Sequence, residues 1–144
     1  MIRITKEFNF EMAHALMGYD GPCKNIHGHS YHLEVTVKGK VKNGTSDSDE
    51  GMVIDFGDIK RLVKSEIVDP YDHALVLNEK MNVNPSQLSF MQKLIVVPFQ
   101  PTCENLLSHY ASLIQAKLPK NVSLIRLFLR ETPSSYAEWH LEDN

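Results

Sequence analysis

The sequence predicts an α+β fold in which a four-stranded antiparallel sheet carries two helices on one face. Two N-terminal runs alternate apolar and polar residues, which is the period of a strand with one buried face. Two later segments place apolar residues at three- and four-residue steps, which is the period of an amphipathic helix. Two runs rich in β-favouring residues follow them. At 144 residues the chain is expected to form a single domain over 1–144.

The first two strands are predicted to form an antiparallel hairpin with a long connection. On one side of the first strand lie Ile2, Ile4, Phe8, Phe10 and Met12, with His14 following on that side. On one side of the second strand lie Tyr31, Leu33, Val35 and Val37, and His27 and His29 precede them on the same side. The stretch between the two strands contains glycine and proline, which favour a loop.

Two helices are predicted in the middle of the chain. The first follows a short strand at Met52–Phe56, begins at a cap formed by Asp55 or Gly57, and ends at Pro70. Its apolar stripe is Ile59, Leu62, Val63 and Ile67. The second begins at the N-cap Thr102. Its stripe is Leu106, Leu107, Tyr110, Ala111, Ile114 and Leu118.

The remaining segments are predicted as a loop, as one segment of ambiguous structure and as a final pair of strands. The polar segment Lys42–Gly51 is expected to be an exposed loop. The segment Met81–Val97 is compatible with a short helix or with a strand near its end. Val122–Glu131 is expected to be a strand that turns into a last strand at Tyr136–Leu141.

Composition excludes several classes of protein. The formal net charge is −3, so there is no basic excess for a nucleic-acid backbone or an anionic membrane. No stretch approaches the roughly 20 apolar residues that a membrane helix needs, and the first residues lack the apolar region of a secretory signal. We therefore expect a cytoplasmic protein. Two cysteines are too few for a disulfide scaffold.

Three histidines are candidates for a metal site. On a strand, His27 and His29 emerge on one face roughly 6.6 Å apart, and His14 ends the neighbouring strand on its apolar side. Three histidines with a fourth position left open are typical of a catalytic zinc site. The alternative is three unconnected strand histidines, each satisfied by local hydrogen bonds.

Four other residues are candidates for chemistry. Cys23 lies in the loop before His27, where a nearby cation would favour its thiolate form; the alternative is a small buried apolar residue. Asp72 and His73 form an adjacent carboxylate and imidazole, or an ordinary surface turn. Glu131 ends an apolar strand and projects either into a cleft or into solvent. We expect Cys103 in the core, and on the surface His32, His109 and His140.

Taken together, these motifs resemble the 6-pyruvoyl-tetrahydropterin synthase family. The resemblance rests on segments spread over nearly the whole chain: Phe10-x-x-x-His14, Cys23-x-x-x-His27-Gly28-His29-x-Tyr31, Met52-Val53-x-Asp55-Phe56, Asp72-His73-x-x-Val76-Leu77-Asn78, Pro101-Thr102-x-Glu104-Asn105 and Glu131-Thr132. The cysteine close before His-Gly-His is most similar to the bacterial branch that forms 6-carboxytetrahydropterin for queuosine biosynthesis.

The resemblance implies a tunnelling fold whose sheets are joined into a barrel in a homo-hexamer of two trimers. It implies that Zn²⁺ is held by His14, His27 and His29. Further, it implies that catalysis uses Cys23, Asp72, His73 and Glu131. Glu131 would also bind the pterin edge, Thr102 would offer backbone N–H groups to it, and Lys24 is our candidate for the triphosphate.

The implied reaction is the zinc-dependent conversion of 7,8-dihydroneopterin triphosphate to 6-carboxy-5,6,7,8-tetrahydropterin, with release of acetaldehyde and triphosphate. One alternative is a 6-pyruvoyl-tetrahydropterin synthase acting on the same substrate. A second is a non-catalytic oligomer in which zinc only holds the hairpin together. A third is a metal-free thiol hydrolase that uses Cys23 and His73.

Overall fold

A computed structural model describes residues 1–44, 47–90 and 93–144. Its centre is one six-stranded sheet with the strand order β4-β3-β1-β2-β5-β6. The strands are β1 (Ile2–His14), β2 (His27–Gly39), β3 (Ala74–Asn78), β4 (Leu94–Val97), β5 (Val122–Thr132) and β6 (Ser135–His140). The predicted count of four strands is therefore wrong, because two short strands, β3 and β4, extend the sheet beyond β1.

The sheet is mixed rather than antiparallel throughout. β1 pairs with β2 and β5 pairs with β6 in antiparallel fashion, as predicted. β2 also pairs antiparallel with β5. β3 runs parallel to β1 and to β4. Parallel neighbours need a crossover connection, and between the consecutive strands β3 and β4 this connection includes the 3₁₀ helices Glu79–Met81 and Pro85–Leu88.

Both predicted helices are present. α1 (Phe56–Val63) begins at Asp55, whose side chain accepts a hydrogen bond from Gly57 N at 2.6 Å. The chain continues through a π-helical turn, Lys64–Val68, and a last helical turn, Asp69–Tyr71. The helical region thus passes the predicted end at Pro70 by one residue. α2 (Cys103–Gln115) begins at the predicted N-cap, Thr102, whose hydroxyl accepts from Asn105 N at 3.3 Å.

The predicted strand at Met52–Phe56 is wrong. Met52 O accepts a hydrogen bond from Lys42 N at 3.0 Å, which closes the polar loop. Val53 then enters the core, and Phe56 already belongs to α1. Capping by Asp55 starts the helix before a strand can form. Two residues of the predicted loop Lys42–Gly51, Thr45 and Ser46, lie outside the described residues.

The main core lies between the helices and one face of the sheet. It joins the predicted inward residues of β1 and β2 to the apolar stripes of both helices, for example Phe10, Leu33, Ile59 and Leu107. A smaller, separate cluster contains Ala15, Leu75 and Leu77, with Met81, Val83 and Leu88 packed against it; Leu75 and Leu77 alternate along β3 with the main-core residue Val76 and so lie on the opposite face. We call the helix-covered side the inner face of the sheet and the opposite side the outer face.

The ambiguous segment Met81–Val97 contains both kinds of structure. A 3₁₀ helix at Pro85–Leu88 precedes strand β4. Two residues between them, Met91 and Gln92, lie outside the described residues. No helix in the described parts of the chain combines the length and the apolar character that crossing a membrane requires.

Candidate metal centre

The three predicted metal ligands converge at one end of the sheet. His14 and His27 are directly opposite each other where β1 and β2 meet, and His29 is opposite Met12, two positions further along the ladder. The centroids of the three imidazole rings lie 4.6, 4.9 and 5.2 Å apart. The hairpin register therefore brings together residues that are 13 positions apart in the chain.

Backbone carbonyls orient two of the rings. His14 Nδ1 lies 2.7 Å from Pro101 O, and His27 Nδ1 lies 2.8 Å from Asn25 O. A carbonyl only accepts, so each Nδ1 carries the proton and donates. In the neutral rings each Nε2 therefore presents a lone pair, and these two nitrogens face each other at 3.1 Å.

This arrangement fits a metal ion. Two lone pairs at such a distance repel each other unless a cation lies beside both. Burial lowers the pKa of His14 and of His29, which favours the neutral rings that metal binding requires. His29 Nε2 is buried and lacks a partner with hydrogen-bond geometry among the described residues. These three nitrogens match the donor set of a zinc site.

Glu131 reaches the same point from β5. Its Oε1 lies 3.0 Å from His29 Nε2 and 4.0 Å from His14 Nε2. The pairing of β5 with β6 shifts register between Arg130 and Thr132, so that Glu131 occupies an irregularity in the ladder. Such a bulge changes the direction of a side chain and is often found next to active sites.

His14, His27, His29 and Glu131 place one ligand atom each within 4.8 Å of the others. Sequence reasoning assigned Glu131 to substrate and proton transfer rather than to this group of four. The position of its carboxylate allows either a fourth ligand or a substrate anchor beside the ion. The irregularity that brings it there has no signature in the sequence.

A cavity of about 290 Å³ opens beside the group. Cys23 lines it together with His14, Glu131 and Thr102. Cys23 is half-buried, and its carbonyl accepts a hydrogen bond from Leu16 N at 2.9 Å, which holds the loop near the end of β1. The predicted thiol of Cys23 thus shares a cavity with two members of the group of four, His14 and Glu131. Lys24 is exposed on the short helix Pro22–Lys24. It is not among the described residues that line this cavity.

A glutamine that sequence reasoning missed holds this loop in place. Gln100 accepts from Met17 N at 3.1 Å through Oε1 and donates to Met17 O at 2.8 Å through Nε2. Its own carbonyl accepts from Asn105 Nδ2 at 2.9 Å. Gln100 therefore ties the loop to the start of α2. A single glutamine between two prolines offers no recognisable sequence signal for such a role.

The second cysteine in the cavity has a different environment. Cys103 Sγ lies 3.3 Å from Leu129 O, and the side chain packs against the main core, as expected. Burial, with a smaller contribution from Glu131, raises the pKa of the Cys103 thiol to about 12. Cys103 is therefore a neutral thiol near pH 7.

Asp72 and His73 lie away from the cavity of Cys23. His73 lines a second space of about 360 Å³ together with Glu11 and Ser30 of the outer face and with His29 of the candidate metal centre. Asp72 Oδ1 accepts from Glu11 N at 2.9 Å and lies 3.0 Å from His73 Nδ1. The Glu11 N–H lowers the pKa of Asp72. His73 is 75% exposed. Among the described residues, neither Asp72 nor His73 lines the cavity of Cys23 within one chain.

His73 also has an unusual backbone conformation. Its φ is +61°, in the left-handed region that residues other than glycine seldom adopt. The hydrogen bond from His73 N to Glu11 O at 2.5 Å holds it there. Strained positions of this kind are concentrated at functional sites.

The three histidines predicted at the surface are all partly covered. His32 and His140 are 15% and 35% exposed. His109 is half-buried, and its ring centroid lies 5.3 Å from that of Phe99. All three residues remain solvent-accessible, with their rings partly covered by neighbouring side chains.

The fold and the histidine group define an α+β protein that presents a candidate metal centre at one end of a mixed sheet. The sequence model described as "6-pyruvoyl tetrahydropterin synthase" matches residues 3–142. This chain belongs to the 6-pyruvoyl tetrahydropterin synthase family, as its motifs predicted. The family assignment covers nearly the whole chain.

Named relatives agree with this assignment. The chain is 40% identical to the 6-carboxy-5,6,7,8-tetrahydropterin synthase of Haemophilus influenzae, over 96% of this chain and 99% of the relative. It is 34% identical to the protein of the same name from Rickettsia bellii, with the same coverage.

Solved structures show the same fold. The 6-pyruvoyl tetrahydropterin synthase of Plasmodium falciparum superposes with a TM-score of 0.72 at 20% identity, covering 96% of each chain. The enzyme of that name from Caenorhabditis elegans superposes with a TM-score of 0.66 at 23% identity, covering 96% of this chain and 94% of that one. The fold is thus the tunnelling fold of this family.

Proposed function

We propose that this protein is a zinc-dependent 6-carboxy-5,6,7,8-tetrahydropterin synthase, a lyase of the queuosine precursor pathway. It converts 7,8-dihydroneopterin triphosphate to 6-carboxy-5,6,7,8-tetrahydropterin, acetaldehyde and triphosphate. The observation that carries the proposal is that Cys23 lines one cavity with His14 and Glu131. The full-length similarity to the Haemophilus influenzae enzyme of this name supports the choice of product.

The proposed zinc ligands are His14, His27 and His29. The carbonyls of Pro101 and Asn25 set the tautomers of two of these rings, so their Nε2 atoms are available as donors. When bound, Zn²⁺ supplies Lewis acidity that polarises substrate oxygens and acidifies protons on the adjacent carbons.

Glu131 is proposed to orient the substrate. Its side chain is 21% exposed at the edge of the cavity, so one oxygen can remain near His29 while the carboxylate receives donors from the pterin. A carboxylate that accepts two N–H groups from an amino-pyrimidine edge makes a bidentate, charge-assisted contact. Such a contact fixes which carbon atoms lie beside Cys23.

Cys23 is proposed to accept the proton from the substrate side chain. The thiol shares the cavity that the pterin would occupy, which meets the first requirement for a general base. Asp72 and His73 are proposed as the relay pair, with Asp72 fixing the His73 ring. Because His73 lines another cavity than Cys23, the proposed relay does not run through direct contact with Cys23 inside one chain.

Two binding roles complete the proposal. Thr102 begins α2 at the cavity, so the first backbone N–H groups of this helix are proposed to face the pterin. Lys24 is proposed to attract the triphosphate. Lys24→Glu should raise KM for the triphosphate substrate, whereas Lys117→Glu, beyond the end of α2, should not. An unchanged KM for Lys24→Glu would remove Lys24 from the site.

The proposed assembly is a cytoplasmic homo-hexamer of two trimers. β4 and β6 are the two edges of the sheet, and both are short. Pairing of such edges between chains would close the sheets into a barrel and would satisfy their free backbone groups. Each chain would contribute one domain, spanning 1–144.

Product analysis tests the proposed function. Purified protein is incubated anaerobically with 7,8-dihydroneopterin triphosphate, and the pterin product and acetaldehyde are measured by mass spectrometry. Equal amounts of carboxypterin and acetaldehyde are expected. A pyruvoyl product without acetaldehyde would instead assign the 6-pyruvoyl reaction, and absence of turnover by zinc-loaded, folded protein would contradict the proposal.

A further inference from the structure

The outer face of the sheet carries a second group of possible metal ligands. Along the paired strands β1 and β2, the two glutamates of this group lie seven positions from the pair His14 and His27. Glu7 of β1 is directly opposite Glu34 of β2. His32 lies next to Glu34 on the same face, and its Nε2 is 3.7 Å from Glu7 Oε2 and 3.5 Å from Glu34 Oε1. One ligand atom from each residue lies within 4.8 Å of the other two.

Neighbouring side chains orient this group. His32 Nδ1 lies 2.9 Å from Asn9 Oδ1, which accepts its proton. The other nitrogen, Nε2, therefore presents a lone pair toward the carboxylates when the ring is neutral. Arg126 Nη1 donates to Glu34 Oε2 at 2.8 Å, which leaves Oε1 on the side of His32.

The distances between donors match those around a metal ion. Metal–ligand bonds of about 2.1 Å in a tetrahedral zinc site place neighbouring donor atoms about 3.4 Å apart. The contacts of His32 are close to this value and are longer than a hydrogen bond between nitrogen and oxygen.

Charge also favours a cation at this position. Like charges directly opposite each other on paired strands destabilise a sheet. Arg126 compensates part of the charge of Glu34, but it also contacts Glu138. Glu7 is 65% exposed, so a hydrated ion can approach from solvent and its carboxylate can adjust.

We propose that Glu7, His32 and Glu34 form a second metal site, which takes a divalent first-row transition ion such as Zn²⁺ and leaves a position for water. The ion ties β1 to β2 on the outer face and offsets the repulsion between the two glutamates. The site is separate from the candidate metal centre, whose ligands lie on the inner face, and it does not depend on the proposed function.

Metal counting tests this proposal with a matched control. Purified full-length wild type, His32→Gln and His140→Gln are dialysed against buffered Zn²⁺, and bound zinc is measured by elemental mass spectrometry. His140 is the control because it lies on the same face beside one carboxylate, Glu138, at 3.8 Å. His32→Gln should bind one zinc fewer per chain than wild type, and His140→Gln should bind as many as wild type.

The same count in a His27→Gln background separates the two sites. Whatever zinc the His14, His27 and His29 centre still holds in that background, adding His32→Gln should lower the count by one per chain. Anomalous diffraction from zinc-soaked wild-type crystals gives a readout that needs no variant, with a peak expected between His32, Glu7 and Glu34. Equal zinc counts for wild type and His32→Gln, or no anomalous peak at this position, would overturn the proposal.

Discussion

His14 and His27 face each other through their Nε2 atoms at 3.1 Å, while the Nδ1 atom of each ring donates to a backbone carbonyl. The carbonyl partners fix both rings in the tautomer that exposes the Nε2 lone pairs. A cation beside both lone pairs would turn this repulsive contact into an attractive one. The hairpin of β1 and β2 therefore presents a candidate metal site whose donors are already oriented.

His27→Gln should weaken zinc binding at this centre. A glutamine keeps the side chain polar but removes an imidazole donor. The loss in affinity should exceed the roughly 10- to 100-fold that removal of an outer partner of a ligand costs. Competition with a zinc chelator measures the affinity, and His140→Gln provides a histidine variant outside the centre. Wild-type affinity in His27→Gln would show that His27 is not a ligand.

Cys23→Ser should lose turnover while keeping zinc. A general base contributes roughly 10²- to 10⁴-fold to a rate, so the fall in kcat should lie in that range. Cys103→Ser is the matched control because its thiol lines the same cavity but has a pKa raised to about 12 by burial. Steady-state kinetics on both variants decides the assignment. If kcat fell as far in Cys103→Ser as in Cys23→Ser, the assignment of the base to Cys23 would fail.

Glu131→Gln should weaken substrate binding more than zinc binding. Hydrogen bonds to a charged group contribute about 1.5 to 3 kcal/mol, so kcat/KM should fall roughly 10- to 100-fold. Glu104→Gln, which alters another carboxylate of the cavity, should change it little. Kinetics and zinc content are measured on the same samples. Loss of zinc with Glu131→Gln would instead identify Glu131 as the fourth ligand.

Tyr110 should make the protein less stable at alkaline pH. Burial raises the pKa of its hydroxyl in the folded state, whereas the unfolded chain ionises near pH 10. Above that pH the unfolded state binds fewer protons than the folded state, so the free energy of unfolding falls as pH rises. For a tyrosine that stays protonated in the folded state, the free energy of unfolding at pH 10.5 is lower by about 0.8 kcal/mol than at neutral pH.

Tyr110→Phe tests this expectation. The Tyr110 hydroxyl is buried without a hydrogen-bond partner among the described residues, so its removal should cost little stability at pH 8. Urea unfolding of Tyr110→Phe at pH 8 and pH 10.5 should show that its free energy of unfolding falls less between these pH values than that of wild type. Tyr136→Phe, at a position 61% exposed, should keep the wild-type loss. An unchanged loss in Tyr110→Phe would contradict the pKa shift.

The long strands and the helix caps could be predicted because their signals are local. β1 has the predicted bounds, Ile2 to His14, since one of its faces is buried and its residues alternate. β3 was missed because all its residues are buried, so that it shows no alternation. Its parallel pairing with β1 also depends on a long-range crossover that no short segment encodes.

The candidate site was predictable to a similar degree. The side on which His14, His27 and His29 lie follows from strand parity, and the structure brings them together. The place of Glu131 in the same group depends on a register shift between β5 and β6. His73 and Cys23 line different cavities because the loops that carry them reach different parts of the sheet, and periodicity does not specify where a loop ends up.

If the protein is a zinc-dependent synthase that releases acetaldehyde, the release must follow the zinc content of the protein. Acetaldehyde release from 7,8-dihydroneopterin triphosphate is measured in one preparation as isolated, after removal of zinc by a chelator, and after zinc is returned. Release should stop on chelation and should recover in proportion to the zinc bound at the His14, His27 and His29 centre. Release that continues unchanged in the zinc-free protein would contradict it.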